Sequence, residues 1–220
     1  MSSDNPVERL KESVINGREQ DAEKAAREIL DAGMDPMRVM EEELFPAIKS
    51  VGEKFEKGEY FLTDLMSAAD AMRAASRVLA SGIKEGSKEK SMVGRIGKIV
   101  IGTVSGDIHD IGKNIVALLL EVNGFDTHDL GKDVESMKFI ERTSEVQANV
   151  MALSALMTTT KPAQKEVVDL LKEMGLRQKV LVMIGGAPTT NEWAEQIGAD
   201  GWAETAEQGV ELAQRLVKER

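Results

Sequence analysis

With 220 residues, 42% of them hydrophobic, the chain can bury one large core or two small ones. Its 38 acidic side chains outnumber 28 basic ones, and a net charge of −10 argues against a nucleic-acid partner, which needs a basic face. The absence of cysteine excludes disulfides, thiolate metal sites and cysteine nucleophiles, and no run of about 18 apolar residues predicts a membrane span.

The first residues, Met1 to Asn5, lack the basic and apolar regions of a signal peptide, so a cytoplasmic protein is expected. Asn5-Pro6 then reads as a helix cap followed by proline at the first helical position, with Val7, Leu10 and Val14 at helical spacing up to Gly17. A second helix carries Ala22, Ala25, Ala26, Ile29 and Leu30 and stops near Gly33. Asp35-Pro36 repeats the start signal for a third. Its face is Met40, Leu44, Ile48, Val51 and Phe55, with a bend at Pro46 and Gly58 beyond its end. A fourth begins near Thr63-Asp64 and carries Leu65, Met66, Ala69, Met72, Ala75 and Leu79 before Gly82. Four amphipathic helices on short turns predict a small bundle, and their alanines allow close approach.

Lys84 to Ser91 is charged, contains glycine and serine, and has no apolar period, which reads as a linker. It divides the chain into a helical domain, 1–88, and a second domain, 89–220. The second domain alternates. Strands are expected at 98–104, 125–130, 150–156, 180–184 and 200–202, and helices at 111–122, 134–145, 165–174, 192–197 and 207–217. That pattern predicts an α/β fold with a five-stranded parallel sheet in the flavodoxin-like (Rossmann-like) order, whose ligand edge lies at the carboxyl end of the first strand.

At that edge stands Gly102-Thr103-Val104-Ser105-Gly106-Asp107-Ile108-His109-Asp110-Ile111-Gly112-Lys113, holding one of the two histidines of the chain. Gly106 and Gly112 let backbone approach something large, and Asp107 is placed to fix the His109 tautomer. Such a pair serves a general base, a metal ligand or a proton relay. No GxSxG elbow or Walker loop occurs, and two histidines without cysteine do not build a zinc site. One nitrogen ligand remains, for a metal whose other positions are filled by something not made of protein. Two further loops share this edge: Ser154 to Thr160, rich in hydroxyls, and Gly185-Gly186-Ala187-Pro188, bare backbone that a flat ligand can lie against. His128, on the second strand, reads as structural or solvated.

Asp107-x-His109-x-x-Gly112, then Ser154-x-Leu156, then Gly185-Gly186, with 41 residues (113–153) and 28 residues (157–184) between them, resembles the signature of cobalamin-binding domains of the methionine synthase type. The resemblance extends over nearly the whole chain, because the helical half is similar to the bundle that caps the corrinoid in that family. The chain is most similar to the small corrinoid proteins of three-component methyltransferase systems in anaerobes.

The resemblance implies a base-off, histidine-on cobalamin, cycling between cob(I)alamin and methylcobalamin. His109 is then the lower axial cobalt ligand, Asp107 holds its other nitrogen, and Thr160 stands where methionine synthase has the serine of the relay. Gly106, Ile108, Ile111 and Gly112 line the corrinoid, and Ser154, Leu156, Thr158, Gly185 and Gly186 line its nucleotide tail. Phe61, Leu62, Leu65 and Met66 are the candidates for covering the methyl-bearing face. The implied activity is methyl carriage: a substrate-specific methyltransferase loads the cobalt, and a second methyltransferase unloads it to tetrahydrofolate or coenzyme M. A reductive activase completes the partners, and the protein is not expected to be catalytic alone. The alternatives are a cobalamin-dependent sensor module and the cobalamin subunit of a mutase. The helical cap argues against the mutase, and the acidic charge argues against a DNA-binding sensor.

Overall fold

The structure, a computed structural model, describes residues 5–82 and 96–220. The linker expected at Lys84 to Ser91, and the boundary at 88/89, lie outside the described residues. The described residues divide into two compact units, 5–82 with 122–124, and 96–121 with 125–220.

In the helical unit, α1 (Pro6–Ile15) starts as its sequence signals: Asn5 Oδ1 accepts the Val7 N–H at 3.0 Å and Pro6 fills the first turn. Helix α2 (Glu19–Asp31) buries Ala22, Ala25, Ala26 and Ile29. The third rod is expected to bend at Pro46, and the structure shows how. A short α3 (Pro36–Val39) passes into a π-helical turn, Met40–Leu44, before α4 (Phe45–Glu56). Pro46 has no N–H to donate, and the turn before it widens so that the Phe45 N–H reaches back five residues to Met40. Helix α5 (Leu62–Ser81) is anchored by Asp64, which accepts the Phe61 N–H at 2.8 Å. It buries Leu65, Ala68, Ala69, Met72, Ala75 and Leu79. Small side chains on α2 and α5 allow these two helices to pack closely. Met66, expected on the packed face, is half exposed; Ala68 takes that place.

The α/β unit follows the expected order: β1 (Gly97–Thr103), α6 (Ile111–Val122), β2 (Phe125–Asp129), α7 (Ser136–Val146), β3 (Val150–Ser154), α8 (Pro162–Glu173), β4 (Leu181–Gly185), α9 (Asn191–Ile197), β5 (Gly201–Ala203) and α10 (Ala206–Lys218). All pairings are parallel, in the order β2-β1-β3-β4-β5. Thr103, Ser154, Gly185 and Ala203 stand in register, so the loops after these strands open along one edge. One sheet face packs Val100, Met151, Leu153, Val182 and Ile184 against Phe139 of α7, Val168 and Leu171 of α8, and Ala194 of α9. With both faces covered, the central strands β1, β3 and β4 are largely apolar instead of alternating, while the edge strand β2 (Phe125–Asp129) carries Asp126, Thr127, His128 and Asp129.

Two boundaries depart from the sequence pattern for reasons in the loops. The third strand is expected to reach Leu156 but ends at Ser154. Beyond it, Ala155 N–H still bonds the Gly185 carbonyl at 3.1 Å, but the N–H groups of Leu156 and Met157 turn toward the Asp107 carboxylate. Helix α7 starts at Ser136, two residues late, because Val134 is held in a parallel bridge to Val104.

Candidate functional site

The β1–α6 loop places Asp107 beneath the sheet edge with its side chain fully buried, while His109 beside it stays 46% exposed. One carboxylate oxygen accepts the His109 ring Nδ1–H at 2.8 Å and the His109 backbone N–H at 3.1 Å. The other accepts the Leu156 N–H at 2.7 Å, the Met157 N–H at 3.3 Å and the Thr160 hydroxyl at 2.6 Å. Burial alone would push the Asp107 carboxyl up. The hydrogen bonds from Thr160, Leu156 and His109 outweigh it and hold this group well below the usual carboxylate range. An ionised carboxylate only accepts, so Nδ1 is the donor in this bond, and in a neutral imidazole held this way Nε2 is the nitrogen with a lone pair to offer a Lewis acid.

The loop that carries this pair is tied at several points, most of them from residues that sequence reasoning did not single out. Gly106 is left-handed, at φ 80°, and its N–H donates to Asp133 Oδ1 at 2.7 Å. Asp133 in turn donates its N–H to the Asp107 carbonyl at 2.9 Å. On the far side the Thr103 hydroxyl donates to the His109 carbonyl at 3.0 Å. Lys113, buried at the start of α6, pairs with Asp129 at 2.6 Å, and Asp129 accepts the Gly131 N–H at 2.8 Å. The Gly131 carbonyl closes this chain on the Thr103 N–H at 3.0 Å.

A cavity of about 710 Å³ opens beside His109, lined only by residues of the α/β unit. Ile108, His109, Ile111, Gly112, Ser154, Leu156, Gly185 and Gly186 all line it, as the sequence signals. Ser154 and Gly185 face each other across the β3–β4 register. Thr158 is exposed and does not line the cavity. Gly106 contributes conformation more than space. Gly186 has a different reason from the one expected: a Cβ there would lie 1.8 Å from the Ala155 carbonyl oxygen, so the glycine is demanded by the neighbouring backbone before any ligand is considered. The far wall, Thr189, Trp202 to Ala206 and Gly209, was not foreseen. The one signal for it is Gly209, a glycine inside a helical period.

Of the helical candidates, Leu65 is fully buried in the bundle and offers no surface, Leu62 is half-buried, and Phe61 and Met66 are 73% and 50% exposed. His128 bonds Arg142 through Nδ1 at 3.1 Å and lies 3.7 Å from Asp126, as expected of a structural residue. No helix among the described residues is long and apolar enough to cross a membrane.

Comparison with known proteins agrees with this geometry. A family profile described as a B12 binding domain matches residues 97–211, and a second with the same description matches residues 6–80. Dimethylamine corrinoid protein 1 of Methanosarcina mazei is 45% identical over 216 residues, 98% of each chain. A corrinoid protein of Desulfitobacterium hafniense is 41% identical over 212 residues, 96% of this chain and 97% of that one. Among solved structures, the methanol:cobalamin methyltransferase complex of Methanosarcina barkeri superposes with a TM-score of 0.87 at 28% identity, covering 99% of this chain and 81% of that one. A cobalamin-binding protein from Desulfitobacterium hafniense gives 0.65 at 31% identity, covering 96% and 98%. A buried carboxylate that orients one exposed imidazole beside a deep cavity is thus found on a chain that belongs to the B12-binding family of corrinoid proteins.

Proposed function

We propose that this protein is a methyl carrier that binds cobalamin base-off with His109 as the lower axial ligand. The observation that carries the reading is the relay Thr160–Asp107–His109, which engages Nδ1 and not Nε2 of an imidazole that lines the cavity. The surroundings fit a flat macrocycle. Ile108 (64% exposed), Ile111 (79%) and Leu156 (44%) make an apolar rim around the imidazole, and a Cβ at Gly112 would meet open space. A cavity this size beside the rim suits the nucleotide tail displaced from the cobalt.

When bound, the corrinoid supplies a cobalt that takes up and releases a methyl group. The chain's own residues do the rest. His109 Nε2 would hold the metal, Asp107 fixes the ring so that the nitrogen stays aimed, and Thr160 donates to the carboxylate and orients it. Ser154 and Gly185 border the path of the tail. Exposed Phe61 and Met66, with half-buried Leu62, are the helical unit's candidates for apolar cover.

The relatives named for dimethylamine, such as the two from Methanosarcina mazei at 45% and 46% identity, favour a methylamine as donor, presented by a partner methyltransferase. A second methyltransferase acting on tetrahydrofolate or coenzyme M, and a reductive activase, complete a cytoplasmic system.

Reconstitution with hydroxocobalamin tests the reading. The wild type should retain the corrinoid through desalting with an absorption spectrum of histidine ligation, and His109→Ala should lose that spectrum and bind more weakly. A colourless wild type, or an unchanged spectrum and full methyl transfer in His109→Ala, would overturn it.

A further inference from the structure

Gly209 lies in the first half of α10, buried, with its N–H donated to the Thr205 carbonyl at 3.0 Å as in any helix. Its backbone is not left-handed, so no turn requires glycine there, and glycine is among the poorest residues inside a helix. Close packing does not require it either. A Cβ at Gly209 would sit 3.6 Å from Val116 Cγ1, 3.8 Å from Met183 Cε and 3.9 Å from Ala203 Cβ, all ordinary contacts. Two other glycines of this unit show the contrast: a Cβ at Gly102 would lie 2.8 Å from the Phe139 ring, and one at Gly201 would lie 2.6 Å from Leu212.

The fold would therefore accept alanine at 209, and in helix propensity would prefer it. What alanine would change is the cavity, because Gly209, Val116, Met183 and Ala203 all line it. A methyl group at this position fills space between α6, β4 and β5. The part of the wall around Gly209, made by Val116, Met183 and Ala203, is apolar, while Thr189, Glu204 and Thr205 bring polar groups to the rest of it. The indole N–H of Trp202, at the same end, is already donated to the Thr189 hydroxyl at 2.9 Å, which leaves the ring as a contact surface. The apolar part suits a planar aromatic heterocycle better than a phosphate or a sugar.

Resting on the reading that the nucleotide tail occupies this cavity, we infer that Gly209 is a specificity-determining residue. It keeps open the depth by which the protein prefers corrinoids with a nucleotide base over corrinoids without one. The helix gives up propensity at this position, and the cavity gains room for the base.

The test compares wild type with Gly209→Ala, measuring the corrinoid-free melting temperature and the affinities for hydroxocobalamin and for cobinamide, which lacks the nucleotide. Gly209→Ala should melt about 2–4 °C higher. It should bind hydroxocobalamin about tenfold more weakly and cobinamide within about twofold of wild type. Undiminished affinity for hydroxocobalamin overturns the inference. So does equal weakening toward both corrinoids, which would place the effect at the His109 edge, and so does a lower melting temperature, which would mean that the fold itself needs the glycine. A wild type that binds neither corrinoid instead removes the methyl-carrier reading, and this inference with it.

Discussion

In the α/β unit the imidazole of His109 is tied down before anything binds: its partner Asp107 is wholly buried, both carboxylate oxygens are engaged, and the loop around the pair is held from β2, β3 and the Asp133 turn. The helical unit treats its candidates in the opposite way, with Phe61 and Met66 standing in solvent and Leu65 one position away sealed in the bundle. The contrast separates two situations. Holding a metal through one nitrogen needs a ring fixed in angle and tautomer, which buried hydrogen bonds supply. Apolar side chains left in solvent, such as Phe61 and Met66, carry no such constraint, and their area stays available for contact.

Substitutions can break or sharpen this comparison. The largest effect is expected from Gly186→Ala, whose new methyl would collide with the Ala155 carbonyl; a loss of about 3 kcal/mol or more should appear in chemical denaturation of the α/β unit. Leu65→Ala should cost the helical unit about 3 kcal/mol, since the residue is fully buried. Asp107→Asn should cost about 2–3 kcal/mol, because an amide cannot accept from all the donors now aimed at the carboxylate.

The Asp107 substitution also carries a pH signature. Hydrogen bonds hold this carboxyl below its usual range despite burial, so its contribution is complete above the unfolded carboxylate pKa of about 4 and is lost as pH falls below it. Denaturation midpoints of the wild type should drop through that acidic window, and those of Asp107→Asn should drop less. Thr160→Val should cost about 1–2 kcal/mol and Thr160→Ser much less, because the hydroxyl to Asp107 is what matters. The smallest effects on stability belong to Phe61→Ala and Met66→Ala, within about 0.5 kcal/mol. If these two are cover, the rate of methyl transfer in the reconstituted system should change several-fold with stability intact; unchanged transfer would reduce them to ordinary surface residues.

Much of this architecture was legible in the chain. The caps at Asn5 and Asp35, the helical period of α1, α2 and α5, and the alternation of short apolar runs with helices are local patterns, and each element stands within a few residues of its expected place. The loop with His109 was legible for the same reason: a strand, two glycines and a helix fix where its histidine must be presented. Sequence went wrong where a distant partner decided. Met66 and Ala68 are near neighbours on one helix, and only the packing of α5 determines which is buried. Gly186 lines the cavity as a bare-backbone position, but the atom that demands a glycine there is the carbonyl oxygen of Ala155, in the loop after β3, which no local pattern announces.

The sequence by itself determined the order of the elements, the α/β class of the second half and the place of His109 in the loop after the first strand, because periodicity and turn chemistry act over a few residues. Only the tertiary structure decided how the carboxylate beside that imidazole stays ionised while buried, since two of its strongest donors come from Leu156 and Thr160, far along the chain. It alone also revealed the wall formed by Trp202, Thr205 and Gly209. A cavity exists only where residues from separate elements leave space, and no stretch of sequence contains it.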